Sequence, residues 1–146
     1  MNEHFNYELY SGAGNSFVMI NNLYWQYQIP LYEQDEFTKF ICKEYFNDVD
    51  GVIFADKPVR YGPDIRMNYY NRDGSFGAMC GNGSRCLAMY AYKNGLVNRK
   101  EIILEAVDDI YKAEIIDDKN VKVTFPEPNE IRFNITIKAE LGGGMK

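Results

Sequence analysis

The stretch "MCGNGSRCLAMYAYKNG", residues 79–95, decides how the rest of the chain is read. From Gly81 to Lys93 it consists of good helix formers with Leu87, Tyr90 and Ala91 on one side, and Asn94-Gly95 supplies a C-terminal stop. This predicts a helix whose start carries a thiol, Cys80, followed by Gly-Asn-Gly. Almost everything around it has the pattern of strands.

Upstream, "FNYELY" (5–10) alternates apolar and polar residues and "FVMIN" (17–21) is rich in strand formers, with the small-residue loop "SGAGNS" between them. From Leu31 to Phe46, apolar residues recur at Phe37, Phe40, Ile41 and Tyr45, the spacing of one helical face. "DVDGVIFAD" gives an Asp-Gly turn and a short buried strand, "DIRMNYYN" gives another, and the chain turns at Asp73-Gly74. After the second helix come "KEIILEAV", "IYKAEII", "NVKVTF" and "RFNITIKAEL", four strand-like runs that read as a meander. The ending "LGGGMK" reads as loose. Two helices against about eight strands predict an α+β fold, a curved, mainly antiparallel sheet wrapped around the second helix.

Length and composition agree with a single domain over residues 1–146: 46% of residues are apolar and 25% charged. A net charge of −5 argues against nucleic acid, whose phosphates call for clustered Lys and Arg. No apolar run approaches the roughly 20 residues that cross a bilayer, so no membrane contact and a cytoplasmic location are expected. Of three cysteines, Cys42, Cys80 and Cys86, at least one must be free. The single histidine, His4, leaves too few zinc-type ligands for a metal site.

A thiol reacts as thiolate, and a cysteine at a helix N-terminus has its pKa lowered because the unpaired N–H groups and the helix dipole favour the anion. Gly81 and Gly83 let the backbone approach a ligand closely, so the N–H groups beyond Cys80 can hold a carboxylate or phosphate. The plain alternative is a small core cysteine followed by an ordinary tight turn. Cys86 lies about 9 Å further up the helix on another face, and Cys42 sits inside the first helix; both read as packing residues. A cysteine-protease arrangement would need His4 to fold back as its base. "SGAGNS" lacks the Lys-Ser/Thr of a P-loop and leads into a strand. Asn15, Asn71 and Asn82 each stand near glycine at a junction of strand, turn or helix. Each alone is a turn residue; converging on one thiol, their neutral amides would suit the ammonium and carboxylate of an amino acid.

"YSGAGNSFVMINN", "DGVIF", "MNYYNRDGSFGAMCGNGSRCLAMYAY" and "VKVTFPEP", in this order, resemble the N-terminal half of the diaminopimelate epimerase family, over about Tyr7 to Pro128. "NRDGS" followed by "CGNGSRC" is the specific part. The resemblance implies an epimerase without PLP, other cofactor or metal that interconverts LL- and meso-diaminopimelate in lysine and peptidoglycan precursor synthesis. Two cysteines from two similar lobes flank the substrate α-carbon; one removes a proton and the other supplies one. Residue by residue, Cys80 matches the first-lobe catalytic cysteine, Gly81 and Asn82 the helix-start residues that hold substrate, and Asn15 and Asn71 the side-chain contacts. Gly51 stands where some members carry a substrate-touching glutamine. The second lobe, with its "ACGTGA"-like helix start, has no counterpart here. The chain is thus expected to be a shortened form, a split-gene product or a half-sized relative, working with a missing second lobe or a second copy of itself. The alternatives are a racemase of another amino acid, a phenazine-biosynthesis-type isomerase, which the cysteine motif disfavours, and a non-catalytic amino-acid-binding or assembly module.

Overall fold

The computed structural model describes residues 6–23, 28–77, 81–107, 109–125 and, as a strand, 132–144. In chain order the elements are β1 (Asn6–Gly12), β2 (Asn15–Asn21), α1 (Leu31–Glu44), β3 (Gly51–Asp56) and β4 (Ile65–Asn71). Then follow α2 (Gly81–Lys93), β5 (Glu101–Glu105), β6 (Ile110–Ile115), β7 (Asn120–Thr124) and β8 (Arg132–Gly144). The strands pair in sequence order, and β8 returns to β1, closing a barrel. Among the described strands only β2–β3 and β4–β5 are parallel, and each parallel pair is joined through a helix, as parallel neighbours require.

The two helices lie on opposite sides of the sheet. α2 contacts every strand and fills the barrel, where Leu87, Met89 and Tyr90 pack against Phe17, Met19, Ile53 and Met67. α1 covers the outside, its Phe37, Ile41 and Cys42 meeting Val18, Ile20, Val52 and Phe54. Alternate residues of β2 and β3 therefore point to two different cores, which is why "FVMI" and "VIFA" are unbroken apolar runs. β6 and β7 are covered on one face only and alternate strictly.

The α+β class and the wrapped, mainly antiparallel sheet are as the sequence predicts, and α2 has the predicted limits. Two expectations change. Residues 83–91 of α2 are all buried, not one stripe, because the closed barrel surrounds the helix; its small residues Gly83, Ser84, Ala88 and Ala91 keep it narrow. The ending is not loose through Leu141–Gly144, whose backbone belongs to β8, with Leu141 opposite Glu8 and Gly144 opposite Asn6.

Candidate active site

One end of the barrel gathers Asn15, Asn71, Gly81 and Asn82, the predicted residues that are described. β2 and β3 run parallel and β4 antiparallel, so the register Phe17↔Gly51↔Asn71 brings the start of β2, the start of β3 and the end of β4 together. The β1–β2 hairpin is closed by Ala13 and Gly14, both with positive φ (52° and 87°), the pair that a tight two-residue turn demands. It sets Asn15 at the first position of β2.

Asn15 meets Asn82 of the first turn of α2: Asn82 Nδ2 donates to Asn15 Oδ1 at 2.6 Å. Asn15 Nδ2 donates to Asp50 Oδ2 at 3.4 Å, and the Ser16 N–H donates to the same oxygen at 2.8 Å. Beneath Asn82 lies Arg85, 1% exposed, whose Nη1 donates to Asn82 Oδ1 at 3.1 Å. A side chain at Gly81 would meet Arg85 Nη1 at 3.4 Å and Phe125 at 3.7 Å, ordinary contacts, so packing alone does not demand glycine there. Gly81, Asn82 and Asn15 are all half-buried, within reach of solvent.

Asn71 belongs to this end but holds other partners. Tyr69 Oη donates to Asn71 Oδ1 at 3.0 Å, Asn71 Nδ2 donates to Ser75 Oγ at 3.1 Å, and Ser75 Oγ donates to Asp73 Oδ1 at 2.6 Å. The hydrogen bonds from Ser75 hold the Asp73 carboxyl below the usual carboxylate range. Gly74 is required twice over: its φ is 89°, and a Cβ would lie 2.8 Å from the Asp35 carbonyl oxygen. Arg72 ties the turn to the end of α1, with Nη1 donating to the Val49 and Phe46 carbonyls at 2.6 and 3.2 Å. Tyr69 lies over Gly51 and Gly77, where any side chain would collide with its ring, and packs edge-on against Phe17 at 5.7 Å.

Cys80 lies outside the described residues, as does His4; by covalent connection Cys80 is the residue before Gly81. Cys42 and Cys86 are fully buried packing residues, and burial pushes the Cys42 thiol up. Among the described residues no group of three His, Cys, Asp or Glu side chains gathers as a metal site requires. No helix among them is long and apolar enough to cross a membrane. A cavity of about 410 Å³ lies elsewhere, lined by Arg66, Asn68, Tyr70 and Phe76 and by none of Asn15, Asn71, Gly81 or Asn82.

The structure thus brings Asn15, Gly81 and Asn82 into one cluster, with Asn71 at the same barrel end. Sequence reasoning missed Asp50, Arg85 and Tyr69. A charged residue amid the apolar residues of a central helix was the available sign for Arg85.

This fold is shared with solved structures of a hydroxyproline epimerase and of a phenazine biosynthesis protein. A hydroxyproline epimerase from Agrobacterium vitis, solved with trans-4-hydroxy-L-proline, superposes with a TM-score of 0.67 at 14% identity, over 91% of this chain and 48% of that one. A phenazine biosynthesis PhzF-family protein from Enterococcus faecalis gives 0.65 at 12% identity, over 84% and 44%.

Sequence narrows this further: the diaminopimelate epimerase family model matches residues 7–130, and the chain belongs to that family. It is 34% identical to a diaminopimelate epimerase from Hydrogenobaculum sp., over 91% of this chain and 50% of that relative. With the enzyme from Bacillus subtilis it shares 32%, over 91% and 46%. The chain spans about half the length of these relatives.

Proposed function

We propose that this chain is a single domain, residues 1–146, supplying the first half of a cofactor-independent epimerase site that interconverts LL- and meso-diaminopimelate in the cytoplasm. The observation that carries the reading is the meeting of Asn15 and Asn82, 67 residues apart in sequence, beside Gly81 at the start of the central helix. Cys80 directly precedes that start. An amino-acid α-proton is weakly acidic, so the developing carbanion must be stabilised by dipoles aimed at the carboxylate, and the N–H groups from Gly81 onward supply them. Asn15, Asn71 and Asn82 bind the polar groups of the substrate. Cys80 as thiolate takes the α-proton on one face, while a thiol from a second lobe, or a second copy, gives a proton on the other; the pair is then set for the reverse reaction, and proton exchange with solvent resets it for another turnover in the same direction. The family membership and the buried structural roles of Cys42 and Cys86 support Cys80 as the reacting sulfur.

The test is exchange of the substrate α-hydrogen with solvent deuterium, on the chain together with the polypeptide that completes its site. Exchange should vanish in Cys80→Ala; unchanged exchange removes Cys80 from the mechanism. A second reading, a racemase of another amino acid, draws on Gly51: the Tyr69 ring covers the position where some relatives carry a glutamine. A panel of amino acids separates the two, since only diaminopimelate should invert on the first.

A further inference from the structure

The hydrogen bonds at the start of α2 run in one direction. Arg85 Nη1 donates to Asn82 Oδ1 at 3.1 Å, Asn82 Nδ2 to Asn15 Oδ1 at 2.6 Å, and Asn15 Nδ2 to Asp50 Oδ2 at 3.4 Å. A guanidinium can only donate, and an ionised carboxylate can only accept. The two ends therefore dictate the orientation of both amides between them. Turning either asparagine over would set donor against donor at one contact and acceptor against acceptor at the next.

We propose that Arg85 and Asp50 are positioning residues: a buried cation under the helix start and an exposed anion beside β2 that together fix the polarity of the Asn82–Asn15 pair. A primary amide has two N–H groups and two lone pairs. The relay uses one N–H of each asparagine and leaves each a second, in a set direction. On this proposal those two N–H groups donate to the acid group of an α-amino acid held at the helix start, and the remaining lone pairs accept from its ammonium. The ligand class rests on the epimerase reading; the fixed amide orientation does not.

The two parts are tested separately. In the ligand-free chain, the side-chain amide signals of Asn15 and Asn82 are followed by NMR in the native protein and in Asp50→Ala, which removes the acceptor that Asn15 Nδ2 and the Ser16 N–H share. Asp50 is exposed and has no hydrogen bond to Asn82, so the variant should fold and the Asn82 signals should nevertheless move with those of Asn15. Arg85→Lys, which keeps the charge at the buried end, should likewise move the Asn15 signals from two contacts away. Shifts confined to the directly bonded asparagine in both variants would overturn the relay. Calorimetric titration with diaminopimelate addresses the ligand: binding should weaken about tenfold in Asp50→Ala, the loss expected when one hydrogen bond to the ligand is no longer directed. Equal affinity in the two proteins would overturn the positioning role. Coupled amide shifts in a native chain that does not bind diaminopimelate would uphold the relay and defeat the epimerase ligand.

Discussion

Asp50 and Asp56 stand at opposite ends of β3 and both receive asparagine amides, yet the two clusters differ in how far water reaches them. Asp56 accepts from Asn22 Nδ2, from Gln34 Nε2 at 3.0 Å and from Asn68 Nδ2 at 2.6 Å. Those amides are otherwise occupied too. Gln34 donates again to the Ile29 carbonyl at 3.1 Å and accepts from Tyr70 Oη at 2.9 Å, while Asn68 accepts from Arg66 Nε at 3.1 Å. Asn22, Gln34 and Asn68 are at most 3% exposed. At Asp50 the asparagines are half-buried and each keeps an N–H to spare. The same chemistry makes a structural knot where it is sealed from water, and leaves amides within reach of solvent where it is open.

The sharpest way to break this contrast is to remove each carboxylate in turn. Asp56→Ala strands the buried N–H groups of Gln34 and Asn68, which should cost about 3 kcal/mol of stability. Asp50→Ala exposes its partners to water and should cost less than about 1 kcal/mol. Denaturant midpoints at constant m-value measure both. Equal costs would mean that the open cluster is structural after all.

Much of this contrast was hidden from the sequence, and the reason is physical. Apolar periodicity reports burial, so α1, α2 and the strands were legible, down to the limits Gly81–Lys93. Glycines and asparagines at junctions report chain reversal, which marked Asn15, Asn71 and Asn82 without saying which would meet. Asn15 and Asn82 touch only because the hairpin at Ala13-Gly14 and the crossover into α2 deliver them to one barrel end. Partners fixed by tertiary closure leave no local pattern. Asp50 reads as half of an Asp-Gly turn, and nothing in the strand-like run "KEIILEAV" singles out Glu105. In the structure Glu105 is fully buried. Burial pushes its carboxyl up, but the Val59 and Arg60 N–H groups and the Arg66 guanidinium hold it below its ordinary value.

A smaller effect, set by pH, should sharpen the difference. Tyr70, 4% exposed, donates to Gln34 in the sealed cluster, and burial pushes its phenol up to about 12. A phenol that holds its proton more tightly in the folded than in the unfolded chain lends stability that is complete below the unfolded value, about 10, and lost as pH rises through the folded one. Between those limits the loss should reach on the order of 2 kcal/mol. Tyr10 and Tyr90, also raised by burial, should extend it to more alkaline solution. Tyr70→Phe should flatten the profile by its own share, as followed by denaturant melts across that range. An unchanged alkaline profile would show that the sealed cluster is already open to water.

The smallest effect concerns how the open cluster is held. Ala13 has φ 52°, a left-handed conformation that costs an L-residue about 1–2 kcal/mol, and it is the described non-glycine residue that takes it. Ala13→Gly removes that cost and adds part of it back as chain entropy lost on folding, so a net gain of about 0.5 kcal/mol is expected. The gain has a consequence for ligand binding. A glycine at this position lets the hairpin explore more of its turn, and Asn15 is two residues beyond it, held by one bond to Asn82 and one to Asp50. If those bonds and not the turn orient Asn15, Ala13→Gly should raise the melting temperature slightly and leave amino-acid affinity within about twofold, a change of about 0.4 kcal/mol. A larger loss of affinity would place the orientation of Asn15 in the strained turn, and the open cluster would then depend on backbone geometry rather than on the polar relay beneath it.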